Sequence, residues 1–491
     1  MNSISNTRPV RDVVVLGAGP TGLTVALLLA RAGLRVVVLD RDAEPSAGPA
    51  EAAWARWSRP GVNQFRQVHV ALPRWHQVIS TELPEVTAAL RDLGGTEVNL
   101  LHLNPASLTG GWQDGDERFT TVTGRRPVIE SAVARVAAIE PYVEVRRGVR
   151  VTGLLLPSST RAGVRDRVVG VQTTEQRIEA DLVIDASGHR TPVPGWLTAY
   201  GRAPVEHRAT EGLTYYTRHY RSPDGPPIGT GGALTHYESY AVLTLPADNR
   251  TWGLAMIVSS TDKAVRRLRE APCWEAALRS SGIDDRWLAG EPLDDVRPLA
   301  GLQDVTREYA PGGVPVIDGL VAVGDAWATT SPFLGRGLSL GAMQAVALRD
   351  AVAETAPGGS LAVATRYAAL LGERVEPYVQ ATLGFGRHRV AQLAAEATGQ
   401  SYVTDDRGWL GSTALLAGAR GDPVLLRAHS MIASMSALPA EAFADPEIRA
   451  RVGPWFGSSP YPPDRPGRAE LLAAITRTPL SSPPSLEGAL S

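Results

Sequence analysis

Lysine is almost missing from this chain: Lys263 is the only one in 491 residues, and arginine carries nearly all of the positive charge. Cysteine is as scarce, with Cys273 alone. A single thiol excludes a disulfide framework and argues against a cysteine-based metal centre, so no metal is expected. It also fits a cytoplasmic setting, where thiols stay reduced. Charge of one sign is lacking too. The formal net charge is −2, so there is no basic footprint for nucleic acid. Long apolar runs are absent: the most apolar stretch, Leu23 to Ala30, falls far short of the ~20 residues that a membrane span needs. Met1 to Asp12 has no apolar segment of the kind a secretory leader requires.

What is present is globular: 44% apolar and 20% charged residues, in a chain long enough for two or three lobes. Val13-Val14-Val15-Leu16 reads as a buried parallel strand. Leu23 to Ala32 follows as a helix, and Arg35 to Leu39 as a second strand ending at Asp40. Between strand and helix lies Gly17-Ala18-Gly19-Pro20-Thr21-Gly22. Gly17 permits a tight turn, Gly19 lets backbone approach a pyrophosphate, and Gly22 lets helix and strand pack closely. Asp40 stands 18 residues after Gly22, where an acid binds ribose hydroxyls. A lone GxGxxG is weak evidence. Strand, helix, second strand and terminal acid in register predict a dinucleotide-binding βαβ unit.

Further along, Val143 to Val171 alternates as antiparallel strands would. Asp181 to Asp185 is a strand entering Ala186-Ser187-Gly188. Leu213 to Tyr220 and Tyr240 to Val258 read as strands of a second sheet, the latter a hairpin turning at Pro246 to Asn249. Ser260 to Ser280 reads as an amphipathic helix kinked at Pro272. Leu320 to Val323 is a strand entering Gly324-Asp325, and Gly337 to Thr355 a long helix. The remainder is mostly helical, with a disordered tail from Pro479.

Three motifs in this order are Gly17 to Gly22, then Asp185-Ala186-Ser187-Gly188, then Gly324-Asp325 with Pro332 and Gly335-Arg336-Gly337-Leu338. Together they make the chain resemble the flavoprotein monooxygenases of the para-hydroxybenzoate hydroxylase fold. Arg126-Pro127-Val128-Ile129-Glu130 resembles that family's helix start whose arginine reaches FAD. Arg59 to His69 resembles a loop near the flavin in bacterial epoxidases of natural-product biosynthesis, and Tyr215 to Arg218 and Asp248 to Trp252 match more weakly. The resemblance implies an α/β fold: a Rossmann-like FAD domain with an inserted β-sheet substrate domain and a helical C-terminal region. The expected boundaries are 10–75, 120–200 and 300–355 for the FAD domain, 76–119 and 201–299 for the substrate domain, 356–478 for the helical region and 479–491 for the tail.

FAD contacts implied by the resemblance fall at Gly17, Gly19, Pro20, Thr21, Gly22, Asp40, Arg41, Arg66, Arg126, Val151, Ala186, Gly188, Gly324, Asp325, Pro332, Gly335, Arg336, Gly337 and Leu338. The backbone of Leu334 to Leu338 would face flavin N1 and C2=O. The implied activity is transfer of one oxygen atom from O₂, through a flavin C4a-hydroperoxide, to an apolar small molecule, by epoxidation or hydroxylation. NAD(P)H is the electron source, directly or through a flavin reductase. Ala186 after Asp185 departs from the Asp-Gly pattern associated with NAD(P)H binding. Arg66, His69, Tyr216 and Arg218 are catalytic candidates. Tyr215, His219, His236, Tyr237 and Tyr240 are candidate pocket groups, and Trp327 a flavin neighbour. A reductase or dehydrogenase on the same fold is the runner-up. A halogenase would need a pocket lysine and a Trp-x-Trp-x-Ile-Pro segment, and the sequence has no such segment. A flavin-fold binding protein without cofactor is the non-enzymatic alternative, opposed by intact Gly17, Gly19, Gly22, Asp40 and Asp325.

Overall fold

The computed structural model describes residues 11–42, 48–157, 166–209, 212–355, 359–461 and 465–479. The expected tail from Pro479 lies almost wholly outside them. A five-stranded parallel sheet forms the first layer, in the order Leu320–Ala322, Leu182–Asp185, Asp12–Leu16, Arg35–Asp40, Val143–Arg147. The central strand is buried on both faces, which is why it reads as an unbroken Val-Val-Val-Leu run. Val143–Arg147 corrects an expectation: it pairs parallel with Arg35–Asp40 as the sheet edge. Its half-exposed edge position gives it the alternation of an antiparallel strand. Val151–Leu155 and Gly170–Thr173 do pair antiparallel, with Arg177–Glu179 as their third strand.

Register aligns the carboxyl ends of the parallel strands. Leu16 stands opposite both Leu39 and Asp185, and Ala322 opposite Asp185. Three motifs separated by some three hundred residues therefore emerge along one edge of the sheet, where a crevice forms. The helices Pro20–Arg31, Arg126–Ala137 and Gly337–Thr355 pack on one face. The stretch grouped by sequence with the substrate domain from residue 76 folds as the helices Pro73–Glu82 and Pro84–Asp92, whose Ile79, Val86 and Leu90 enter this same core.

The second sheet carries Leu234–Tyr237, Tyr240–Pro246, Thr251–Ser259 and Leu213–Arg221 in antiparallel order, with Glu291–Pro292 and Arg297–Leu299 on its edge. The hairpin turns at Ala247 to Arg250. Buried Asp248 there accepts from the backbone N, Nε and Nη2 of Arg125, tying this sheet to the start of Arg126–Ala137. Helix Ala271–Ser280 covers the outer face. Pro272 occupies its first turn, where no backbone donor is needed, so the proline starts this helix rather than kinking a longer one. Helices Ser360–Arg374, Glu376–Ala397, Arg407–Gly418 and Pro423–Ala433 complete the molecule. Among the described residues no helix is long and apolar enough to cross a membrane.

Candidate functional site

A cavity of about 1490 Å³ runs from the edge of the parallel sheet to the C-terminal helices. That exceeds the roughly 300–1,000 Å³ of a single small-molecule site, so it has room for two occupants. At one end lies the glycine turn. Gly17 has φ +107°, and a Cβ there would stand 2.5 Å from the Ala186 carbonyl oxygen, so the turn and the second motif pack backbone to backbone. A Cβ on Gly19, by contrast, would meet only Arg59 Nη1 at 3.9 Å. Its face is open to the cavity. Helix Pro20–Arg31 begins there with no side-chain cap and no acid in its first turn. Its free N–H groups and positive dipole end suit a phosphate group.

Asp40 lines the same end but is heavily engaged. Its Oδ2 accepts from Ala18 N and Arg59 Nη2, both at 2.7 Å, and its Oδ1 from Asp42 N at 2.8 Å. Of the roughly four acceptor positions of a carboxylate, one stays free. Arg59, which sequence reasoning quoted only as the start of a loop, organises this region. It is buried and bonded to Asp40, Asp42 and Glu130, the last at 2.6 Å. Glu130 also accepts from Arg126 Nε at 2.6 Å. Despite its burial, these two guanidinium groups hold the Glu130 carboxyl below its ordinary value.

Arg126 continues the network by donating from Nη1 to His69 Nε2 at 3.0 Å. His69 Nδ1 lies 3.1 Å from the Gln67 carbonyl. Arg126 can only donate and a carbonyl only accept, so the tautomer follows: Nδ1 carries the proton and Nε2 accepts. Burial, aided by Arg126, pushes His69 down to about 3. His69 is thus a neutral ring with both nitrogens engaged. It orients Arg126 and has no free lone pair with which to act as a base. Beyond Arg126 lies Asp325, whose carboxyl is raised by burial, against the lowering fields of Arg126, His189 and Arg307. Its backbone carbonyl accepts from Arg307 and Thr329, and its carboxyl accepts no hydrogen bond among the described residues. A carboxylate without protein donors, facing a cavity, suits ligand hydroxyls.

The structure brings together most of the residues singled out in the sequence. Gly17, Gly19, Pro20, Thr21, Gly22, Asp40, Arg41, His69, Arg126, Val151, Ala186, Gly188, Gly324, Asp325, Pro332, Gly335, Arg336, Gly337 and Leu338 all line the one cavity. Asp185, beneath them, accepts from Ser187 N, Ser187 Oγ and Thr191 Oγ1, and so shapes the turn that presents Ala186 and Gly188.

Seven candidates are not on the cavity wall: His219 is buried beside Asp294, Tyr237 and Tyr240 stack on each other in the core with Trp274, and four more turn elsewhere. Arg66 lies over the Trp54 ring at 4.8 Å and donates to the Trp57 carbonyl. Tyr216 and Arg218 point to the outer face of the second sheet. Tyr216 enters the core with Trp274, and Arg218 donates to Glu275 at 2.8 Å. Strand alternation places Tyr215 and Thr217 on the cavity side instead. Trp327 packs among core residues between the sheet layers.

Sequence reasoning named His236 as a pocket group but missed the rest of the far wall. Phe385, Arg389, Trp409 and His429, from the C-terminal helices, line the cavity together with Leu234, His236 and Phe333. These positions carry no motif, and only folding assembles them.

Residues 12–101 match the FAD dependent oxidoreductase family. The match begins at the first strand of the parallel sheet and takes in the glycine turn, Asp40, Arg59 and His69. The Mycobacterium tuberculosis protein Rv3254 is similar at 29% identity, over 70% of this chain and 73% of that protein. Among solved structures, PqsL, a probable FAD-dependent monooxygenase from Pseudomonas aeruginosa, shares the fold. Its TM-score is 0.56 at 17% identity, over 79% of this chain and 97% of that one. The flavin-dependent brominase Bmp2 shares it too, with a TM-score of 0.58 at 16% identity, over 90% of this chain and 99% of that one. The chain thus shares one overall fold with both of these solved structures. A brominase on the same architecture shows that fold alone does not choose the chemistry.

Proposed function

We propose that this chain is an FAD-dependent monooxygenase that epoxidises or hydroxylates a largely apolar small molecule. The observation that carries the reading is continuity. One cavity joins the dinucleotide end to a chamber lined by Leu234, Leu243, Leu299, Leu302, Phe333 and Phe385. FAD is placed with its pyrophosphate at the N-terminus of Pro20–Arg31, against Gly17, Gly19, Pro20, Thr21 and Gly22. Its adenosine lies toward Asp40 and Arg41, and its ribityl chain toward Arg126 and Asp325. Gly335 to Leu338 stand by the pyrimidine edge, where the N-terminus of Gly337–Thr355 favours negative charge.

Reduced FAD supplies the activation of O₂ at such a site. The protein's own part is to orient and to exclude water. The locked network of Arg59, Glu130, Arg126 and His69 fixes the charged groups of the cofactor end. The apolar chamber keeps bulk water from the reacting substrate. Within that network His69 has both ring nitrogens engaged and Glu130 is ion-paired, so the network positions the cofactor end and supplies no general base. Halogenation is disfavoured, because Lys263 is exposed on a surface turn and is not on the cavity wall.

The test is incubation of FAD-loaded protein with ¹⁸O₂, a reductant and candidate substrates. A product heavier by one labelled oxygen supports the reading. A dehydrogenated product, with all the oxygen recovered as H₂O₂, would overturn it in favour of the dehydrogenase class. Anaerobic mixing with NADH or NADPH separates direct reduction from dependence on a reductase, since only direct reduction bleaches the flavin with purified protein alone.

A further inference from the structure

Four basic side chains from four elements meet at the cavity end remote from the glycine turn. His236 comes from the second sheet, Arg336 from the turn before Gly337–Thr355, Arg389 from Glu376–Ala397 and His429 from Pro423–Ala433. His236 is 7% exposed, Arg336 4% and Arg389 2%. The phenyl ring of Phe333 links two of them, with the Arg389 guanidinium 5.8 Å and the His236 ring 5.7 Å from its centroid, and His429 lies within the field of Arg336.

Among the described residues none of the four is bonded to a carboxylate. Arg336 donates to Thr382 Oγ1 and to the Ile432 carbonyl, each at 2.9 Å, and its buried Nε has no partner among the described residues. Arg389 donates to Gln392 Oε1 at 2.7 Å, Tyr240 O at 3.1 Å and Tyr461 OH at 3.2 Å. Among the described residues Glu396 is reached only through that tyrosine hydroxyl. No hydrogen bond engages either imidazole among the described residues, although both face the cavity. Burial holds His429 down at about 4 and His236 well below its ordinary value, and Arg336 and Arg389 reinforce this. Burial likewise lowers Arg336 to about 10.

Buried cations held only by neutral acceptors are costly unless an anion completes them. Two imidazoles with unused nitrogens, set before two guanidinium groups, form such a receptor. We propose that the substrate carries a carboxylate, seated among His236, Arg336, Arg389 and His429, with its apolar body lying back along Phe333 toward the flavin end. This rests on the monooxygenase reading for the word substrate, and on geometry alone for the anion site. The receptor fixes one end of an elongated acid and so chooses which carbon of its body is presented for oxidation. It also explains why the far wall is built from C-terminal helices. Their closure over the chamber is what brings Arg389 and His429 to His236.

The experiment is equilibrium dialysis of FAD-loaded protein against decanoate and against 1-decanol, which share length and differ in charge. Decanoate is expected to bind at least about tenfold tighter. Arg336→Met should weaken decanoate by about tenfold or more and leave decanol within about threefold. His236→Phe/His429→Phe, which keeps both arginines, is the second variant should the first not fold, and the same loss of preference is expected. Equal affinity for the two probes, no binding of decanoate, or a preference intact in every folded variant would overturn the proposal. Acid preference without labelled oxygen in any product would overturn the monooxygenase reading and leave the anion site standing. Oxygen transfer without acid preference would do the reverse.

Discussion

The two ends of the cavity treat buried charge in opposite ways. At the dinucleotide end Arg59 and Arg126 are matched by Asp40, Asp42 and Glu130 at hydrogen-bond distance. At the far end Arg336 and Arg389 donate, among the described residues, only to hydroxyl, amide and carbonyl oxygens. The first arrangement is internally complete and makes a rigid frame, in which even His69 has its tautomer fixed. The second is incomplete within the described residues. A frame is tested by breaking it, and an incomplete cluster by asking what completes it.

Breaking the frame should give the largest effect. Arg59→Met leaves Asp40, Asp42 and Glu130 buried without their shared cation, and the cost expected is about 3–5 kcal/mol of stability. The pH dependence should invert. In the parent, Glu130 has a folded-state value below its unfolded one, so its contribution is present above the unfolded value and is lost as pH falls through the folded one. In the variant Glu130 keeps only Arg126 against its burial and its carboxyl is raised instead, so stability should rise as pH is lowered from 7.5 toward 5. Denaturant melts at the two pH values check this. A variant less stable at pH 5 than at 7.5 would show that Arg59 does not neutralise these acids.

Gly19→Val comes next. The open face at this residue would receive a side chain where a pyrophosphate is placed, so folded but colourless protein is expected, with FAD affinity lower by about a hundredfold, or ~2.7 kcal/mol. Stoichiometric FAD retained by a folded variant would remove the pyrophosphate from this turn. Asp325→Ala should weaken FAD by about 1.5–3 kcal/mol through loss of a charge-assisted hydrogen bond. The apo-protein should meanwhile become more stable at neutral pH. The folded-state carboxyl is raised, so its ionised form is penalised above the unfolded value, and the variant removes that penalty. Apo-protein titration with FAD and thermal melts read the two effects separately.

The frame was largely legible in the sequence and the far wall was not. Val13 to Asp40 encodes its own geometry: a strand buried on both faces, a glycine at φ +107°, and an acid where the second strand ends. Val143–Arg147 misled because a half-exposed edge strand in a parallel sheet alternates as an antiparallel one does. Ser260 to Ser280 misled because a proline in a helical pattern reads as a kink, whereas here Pro272 follows the Arg266–Arg269 turn and begins the helix. Arg59 was visible only as part of a loop, since its three acids lie 17, 19 and 71 residues away. His236, Arg336, Arg389 and His429 span nearly two hundred residues, and no local pattern announces that tertiary packing will gather them.

Arg66 sharpens the comparison with the smallest effect. It stands seven residues after Arg59, in the same quoted loop, and the sequence reading singles out Arg66, not Arg59, for the cofactor. The structure separates them. Arg59 turns into the frame, while Arg66 turns back over Trp54 and the Trp57 carbonyl, beside Arg125 and Arg297, which together with burial lower its affinity for the proton. Arg66→Met keeps the apolar stem over the indole and removes the cation, so the expected cost is about 0.5–1 kcal/mol of stability. FAD affinity should stay within about twofold, because a half-buried cation off the cavity wall contributes little there beyond a screened field. Denaturant melts and FAD titration of this one variant measure both quantities. A tenfold loss of FAD affinity at unchanged stability would place Arg66 on the cofactor and move the boundary between frame and cavity.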